Sequence, residues 1–166
     1  MSSQLDTNVF PLAYLITFRT YGSWMHGEDR GSVDRKHNIY GTPRLGANRY
    51  RKQAETRLLK HPPVLLNILQ RRTVELAVRE VCRFHRYDLL AVNARTNHVH
   101  TVISAACMPE PILDALKAYA TRKLRCEGLI PTTTKPWARH GSTRYLWKDE
   151  QVDKAVAYVM CDQGED

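Results

Sequence analysis

The stretch YDLLAVNARTNHVHTVISA (87–105) contains two short apolar segments, 87–96 and 98–105, which meet at Thr96-Asn97. Both segments are rich in aliphatic and β-branched residues, which favour strands. A polar pair such as Thr-Asn between two apolar segments is typical of a tight turn. We therefore predict a β-hairpin here, and the rest of the fold is worked out from it.

The second strand of this hairpin carries two histidines separated by one valine. Side chains alternate along a strand, so His98 and His100 should lie side by side on one face. We expect Val99, Val102 and their neighbours to face the core from the other side. The imidazole pair is either two ligands of a metal ion or two polar residues at the surface of a sheet.

Five further elements flank the hairpin. Their apolar periodicity identifies them, and turn residues bound them. Asn67 and Gln70 have the spacing of a capping box, while Pro109 and Gly128 bound a second helix. The predicted elements are a strand at 12–22, a helix at 67–86, a helix at 109–128, a strand at 142–147 and a helix at 149–162.

The element order is β, α, β, β, α, β, followed by one more helix. This order predicts an α+β fold of the ferredoxin-like split βαβ type, an antiparallel sheet with two helices on one face. His98 and His100 would then lie on the other, free face. We expect a single domain over 1–166, with a basic loop and helix inserted at about 23–66 and a helix appended at about 149–162.

The positive charge is concentrated in two segments. Lys and Arg outnumber Asp and Glu nine to four in 28–60 and eight to one in 117–148, within a net charge of +8. Such segments fit a partner with a phosphate backbone, although a generic basic surface would look the same. No apolar run approaches the roughly 18 residues of a membrane span, no secretion signal is visible, and the four cysteines are scattered, so we expect a cytoplasmic protein.

One tyrosine of the last helix lies away from its apolar stripe. Tyr158 is about 140° from the centre of that stripe at 100° per residue. It is either a surface residue or, beside a His-x-His strand in a basic protein, a candidate nucleophile. The stripe consists of Val152, Ala155, Val156, Val159 and Met160.

Several motifs along the chain match one known family. They are Asn97 with HVH (98–100), ARHGSTRYLW (138–147), LKAYATRKL (116–124), AYVMCDQGED (157–166) and the opening ITFRTYGSWMHGEDRGSV (16–33). Together they resemble the single-tyrosine HUH transposases of the insertion-sequence type, which include the REP-associated tyrosine transposases. The resemblance spans nearly the whole chain.

This resemblance implies a metal-dependent enzyme that nicks and rejoins single-stranded DNA at hairpins. His98 and His100 would bind Mg²⁺ or Mn²⁺ together with a third ligand from the tyrosine helix. Tyr158 would attack a DNA phosphate and leave a 5′-phosphotyrosine and a free 3′-hydroxyl. A homodimer is the typical assembly of the family.

The third metal ligand is open between two residues. The family usually places Gln or Asn four residues after the tyrosine, whereas this chain has Asp162 there and Gln163 one residue later. Asp162 lies about 40° from Tyr158 on an ideal helix and Gln163 about 140°. Spacing therefore favours Asp162, and residue type favours Gln163, which we slightly prefer.

The basic segments supply candidate DNA contacts, and three aromatic residues, Tyr21, Trp24 and Trp137, could stack on unpaired bases. Two other functions remain open, a non-catalytic nucleic-acid-binding protein of the same fold and a metal-dependent phosphodiesterase that uses water. The candidate contacts with the DNA phosphate backbone are Lys117, Arg122, Lys123, Arg125, Arg139, His140 and Arg144.

Overall fold

The computed structural model describes residues 9–23, 53–54 and 57–161. Four strands and three helices account for most of this part of the chain. They are β1 (Ala13–Thr20), α1 (Ile68–His85), β2 (Asp88–Ala94), β3 (His98–Ser104), α2 (Pro109–Cys126), β4 (Trp137–Leu146) and α3 (Asp149–Met160).

The four strands form one antiparallel sheet in the order β2-β3-β1-β4. This is the strand order of the split βαβ arrangement, because α1 connects β1 to β2 and α2 connects β3 to β4 across the same sheet. The predicted α+β fold class is therefore confirmed, as is the hairpin of β2 and β3.

The main core lies between the sheet and the two long helices. Tyr14, Ile16 and Phe18 alternate along β1 and are fully buried against α1 and α2. On α1 the first turn is held by the predicted capping box, in which Asn67 and Gln70 bond to each other's backbone N–H at 2.9 Å. Val99 of β3 lies in the same core, as predicted.

The second face of the sheet was expected to be free, but helix α3 packs on it. Val102 belongs to this second cluster and not to the main core. The reason is the two-residue period of a strand, which places Val102 on the same face as His98 and His100. The cluster consists of Ala13, Ala91, Val102, Leu146, Ala155 and Val159.

Strand β4 is longer than predicted and begins at Trp137. Its polar stretch hides the strand pattern, but Trp137 packs edge-on against Phe18 at 4.9 Å between ring centroids and anchors the start of the strand. The register with β1 shifts between Phe18 and Thr20, so the strand bulges there.

The predicted insertion at about 23–66 lies mostly outside the described residues. Of the basic helix expected within this insertion, residues 53–54 and 57–58 are described and are helical. Within the described ranges, no helix combines the length and the apolar character that crossing a bilayer requires.

Candidate active site

His98 and His100 lie side by side on the α3 face of the sheet, as predicted. Their ring centroids are 4.6 Å apart. Strand β3 lies between β1 and β2, so His98 is paired with Arg19, while His100 has Thr17 on one side and Asn93 on the other. The interior of the sheet therefore fixes the backbone of both histidines.

The Nδ1 atom of each histidine makes a short hydrogen bond. Nδ1 of His100 lies 2.6 Å from the hydroxyl oxygen of Thr17. Nδ1 of His98 lies 2.6 Å from the side-chain oxygen of Asn97. Because both contacts use Nδ1, they set the orientation of both rings.

His100 is kept neutral by its surroundings. It is 8% exposed. Burial lowers its pKa from 6.5 to about 3, and the positive charge that His98 can carry and the charges of Arg19 and Arg95 act in the same direction. A neutral imidazole keeps one nitrogen lone pair, which is the form that binds metal ions.

Tyr158 lies beside this pair. Its ring centroid is 5.5 Å from that of His100, and the residue is 42% exposed, so it does not serve the core. The side-chain amide of Asn93 donates to the carbonyl of Val159 at 2.9 Å and holds the end of α3 next to His100. Met160, predicted on the buried stripe, is instead 59% exposed.

The imidazole pair alone does not complete a metal site. Among the residues that the structure describes, no group of three or more His, Cys, Asp and Glu side chains is placed to hold a metal ion. Both predicted third ligands, Asp162 and Gln163, lie outside the described residues. Imidazole nitrogens suit Mn²⁺ better than Mg²⁺, which prefers oxygen ligands, so the two histidines fit one of the two predicted ions.

The structure does not bring four of the predicted DNA contacts to the histidine face. They lie on α2, which covers the opposite face of the sheet. The ammonium group of Lys117 donates to the carbonyls of Ala138, Arg139 and His140 at 2.9, 3.3 and 3.1 Å, and burial lowers its pKa. These contacts give Lys117 a structural role, and DNA contact there stays a prediction.

The other three cations of α2 also have local partners. The guanidinium of Arg122 lies 4.9 Å from the ring centroid of Tyr119, and Lys123 forms an ion pair with Glu80 at 2.8 Å. Arg125 donates to the Thr134 carbonyl at 2.9 Å, and its buried Nε has no hydrogen-bond partner among the described residues.

The remaining predicted contacts lie on the edge strand β4. Arg144 is paired with Leu15, which packs on the α3 side, so Arg144 shares the histidine face. Arg139 and His140 are exposed at the bulge of the same strand. Trp137, predicted to stack on bases, instead packs on Phe18 and donates to the Thr121 hydroxyl at 3.0 Å, while Trp24 lies outside the described residues.

No protein-family model matches the chain, and no curated protein matches it in sequence. Two solved structures resemble the fold. One is a REP-associated tyrosine transposase bound to a REP hairpin, at 11% identity and a TM-score of 0.49, covering 96% of this chain and 70% of that one. The other is a candidate transposase from Deinococcus radiodurans, at 13% identity and a TM-score of 0.47, covering 96% and 95%.

Sequence reasoning missed the residues that support the histidines. These residues come from the two strands that flank β3, and the register places them on the same sheet face as the histidines. They are Thr17, Arg19 and Asn93. The signal was the alternating polar residues of LITFRT (15–20) and the single polar residue of AVN (91–93), but the register between strands is needed to use it.

Proposed function

We propose that the protein is a metal-dependent enzyme that nicks and rejoins single-stranded DNA, with Tyr158 as nucleophile. The proximity of Tyr158 to the two histidines carries the proposal. The ring centroids of Tyr158 and His100 are 5.5 Å apart, and those of His100 and His98 are 4.6 Å apart. A phenol beside two imidazoles fits attack on a phosphodiester, which depends on positioning and charge stabilisation.

In the proposed step the phenolic oxygen of Tyr158 attacks the phosphorus of a DNA phosphodiester. The bond from phosphorus to the 3′-oxygen breaks, and the proton of the phenol ends on that oxygen. The DNA then has a free 3′-hydroxyl, and its 5′-phosphate is esterified to Tyr158. The ester conserves the bond, so the reverse reaction rejoins DNA without a nucleotide cofactor.

His98 and His100 would hold Mn²⁺ or Mg²⁺, with Asp162 or Gln163 as the proposed third ligand. The bound ion would neutralise charge on the phosphate during attack. Arg19 and Arg95 add positive charge near His100, and Arg144 shares its sheet face. This distribution favours an anionic substrate on the α3 side, and we propose single-stranded or hairpin DNA.

Helix α3 packs on the sheet of its own chain, which supports a site whose tyrosine and histidines come from one subunit. The homodimer that the resemblance implies is retained as part of the proposal, together with the cytoplasmic location.

Covalent capture of DNA tests the proposal. The protein is incubated with Mn²⁺ and hairpin DNA labelled on the 3′ side of the cut, and we expect an adduct that survives denaturation and is removed by protease. Tyr158→Phe should abolish it. Tyr119→Phe, which removes a phenol from the helices on the other face, is the matched control and should retain it.

The alternatives give different results in the same assay. If the protein cleaves DNA without forming an adduct, and Tyr158→Phe still cleaves, the protein is a phosphodiesterase that uses water. DNA binding with neither cleavage nor adduct on any hairpin would assign a binding protein. Either result overturns the proposed nucleophile.

A further inference from the structure

The two histidines are supported by a hydroxyl and an amide that lie on different elements. Thr17 comes from β1 and Asn97 from the turn before β3. Both contact the Nδ1 atom of a histidine at 2.6 Å. Two unrelated residue types therefore contact the same ring atom, Nδ1, which indicates that both contacts orient the histidine rings.

The turn at Asn97 is held by hydrogen bonds from Thr20 at the end of β1 and from Ser23 just after it. The backbone carbonyl of Asn97 accepts hydrogen bonds from the Thr20 N–H at 2.9 Å, the Thr20 hydroxyl at 3.2 Å and the Ser23 hydroxyl at 3.1 Å. An amide oxygen can only accept, so Nδ1 of His98 must carry the proton in this contact. The lone pair of the neutral ring then lies on Nε2.

His100 makes the equivalent contact with Thr17, whose hydroxyl can accept a hydrogen bond from Nδ1 as the Asn97 oxygen does from Nδ1 of His98. His100 is 8% exposed and has no second hydrogen-bond partner among the described residues. With the proton on Nδ1, the Nε2 atom of the neutral ring carries the lone pair and needs no acceptor from the protein.

We propose that Thr17 and Asn97 are positioning residues that hold His100 and His98 as Nδ1–H tautomers, so that both rings present the Nε2 lone pair for a divalent cation. The role of the lone pairs rests on the proposed function, but the tautomers themselves do not. Hydrogen bonds of this kind to the second ring nitrogen are a general way of orienting metal-binding histidines.

The tautomers can be read directly by long-range ¹H–¹⁵N NMR of the full chain, labelled on histidine and kept in chelator at neutral pH. We expect both rings of the wild type as Nδ1–H. Thr17→Val, which keeps the shape and removes the hydroxyl, should shift His100 toward Nε2–H, and Thr17→Ser should restore the wild-type pattern. Thr101→Val, a substitution in the same sheet on the opposite face, is the matched control.

Manganese binding gives the second readout, measured by electron paramagnetic resonance on the protein alone. We expect Thr17→Val and Asn97→Ala to weaken Mn²⁺ binding by about 10- to 100-fold, with Thr17→Ser close to the wild type. The NMR spectra also show whether each variant is folded. If Thr17→Val is misfolded, Asn97→Ala and Thr17→Ser decide whether the inference holds.

Two results would overturn the inference. One is a wild-type His100 that is protonated on Nε2, and the other is unchanged tautomers and Mn²⁺ affinity in both Thr17→Val and Asn97→Ala. Failure of the proposed function looks different, because the tautomers and the Mn²⁺ affinity would follow this pattern while no DNA adduct forms.

Discussion

Replacing Lys117 by methionine should destabilise the protein more than it weakens DNA binding. The ammonium group donates to three carbonyls at the start of β4, and only the one of Ala138 is partly buried, while the other two contacts are exposed. Water can replace the lysine at the exposed carbonyls. The loss should therefore be about that of one hydrogen bond from a charged group, about 2 kcal/mol.

For a chain of 166 residues this loss corresponds to a fall in the melting temperature of about 4–8 °C. Thermal unfolding followed by circular dichroism measures it. Lys154→Met, which removes the same charge from an exposed position of α3, is the control and should change the melting temperature by less than about 1 °C.

The opposite pattern would show that the reasoning is wrong. If Lys117→Met melts with the wild type while its affinity for hairpin DNA falls, the ammonium group contacts phosphate, as the sequence analysis predicted. In that case the three carbonyl contacts contribute nothing measurable to stability.

Three further predictions concern stability. Gly141→Ala should cost about 1–3 kcal/mol in urea unfolding, because a Cβ atom there would lie 2.8 Å from a Leu113 methyl and 2.8 Å from the Thr17 carbonyl. Tyr14→Phe should cost about 1 kcal/mol in the same assay, since the buried hydroxyl donates to a loop carbonyl at 2.9 Å, and an unchanged midpoint would contradict this. The lowered pKa of His100 predicts metal-free protein that is fully stable above pH 6.5 and loses stability as the pH falls toward 3. The slope should exceed that of His100→Gln by up to about 1.4 kcal/mol per pH unit, and equal slopes would refute it.

The fold was predictable because its signals are local. The capping box at Asn67 and the apolar alternation of β1 each specify an element without reference to the rest of the chain. The order of those elements then leaves few arrangements of the sheet. The start of β4 at Trp137 was missed since its anchor is a contact with Phe18, which is far away in sequence.

The site was predictable in part, for the same reason. His98 and His100 share a face by spacing alone, and the position of Tyr158 on its helix excludes it from the core. The burial of His100 could not be foreseen, because it depends on α3 packing back over the sheet. Val102 was assigned to the wrong face although its parity with His100 was available in the sequence.

The way in which α3 is attached gives this helix a different stability from the rest of the molecule. Only Ala155 and Val159 of its twelve residues are buried, and the amide of Asn93 secures its last turn. Elements with so little buried surface open locally at a small fraction of the global unfolding free energy. Amide hydrogens of α3 should therefore exchange with solvent well before those of β1 and β3, and Tyr158 can move away from the histidines while the sheet stays folded.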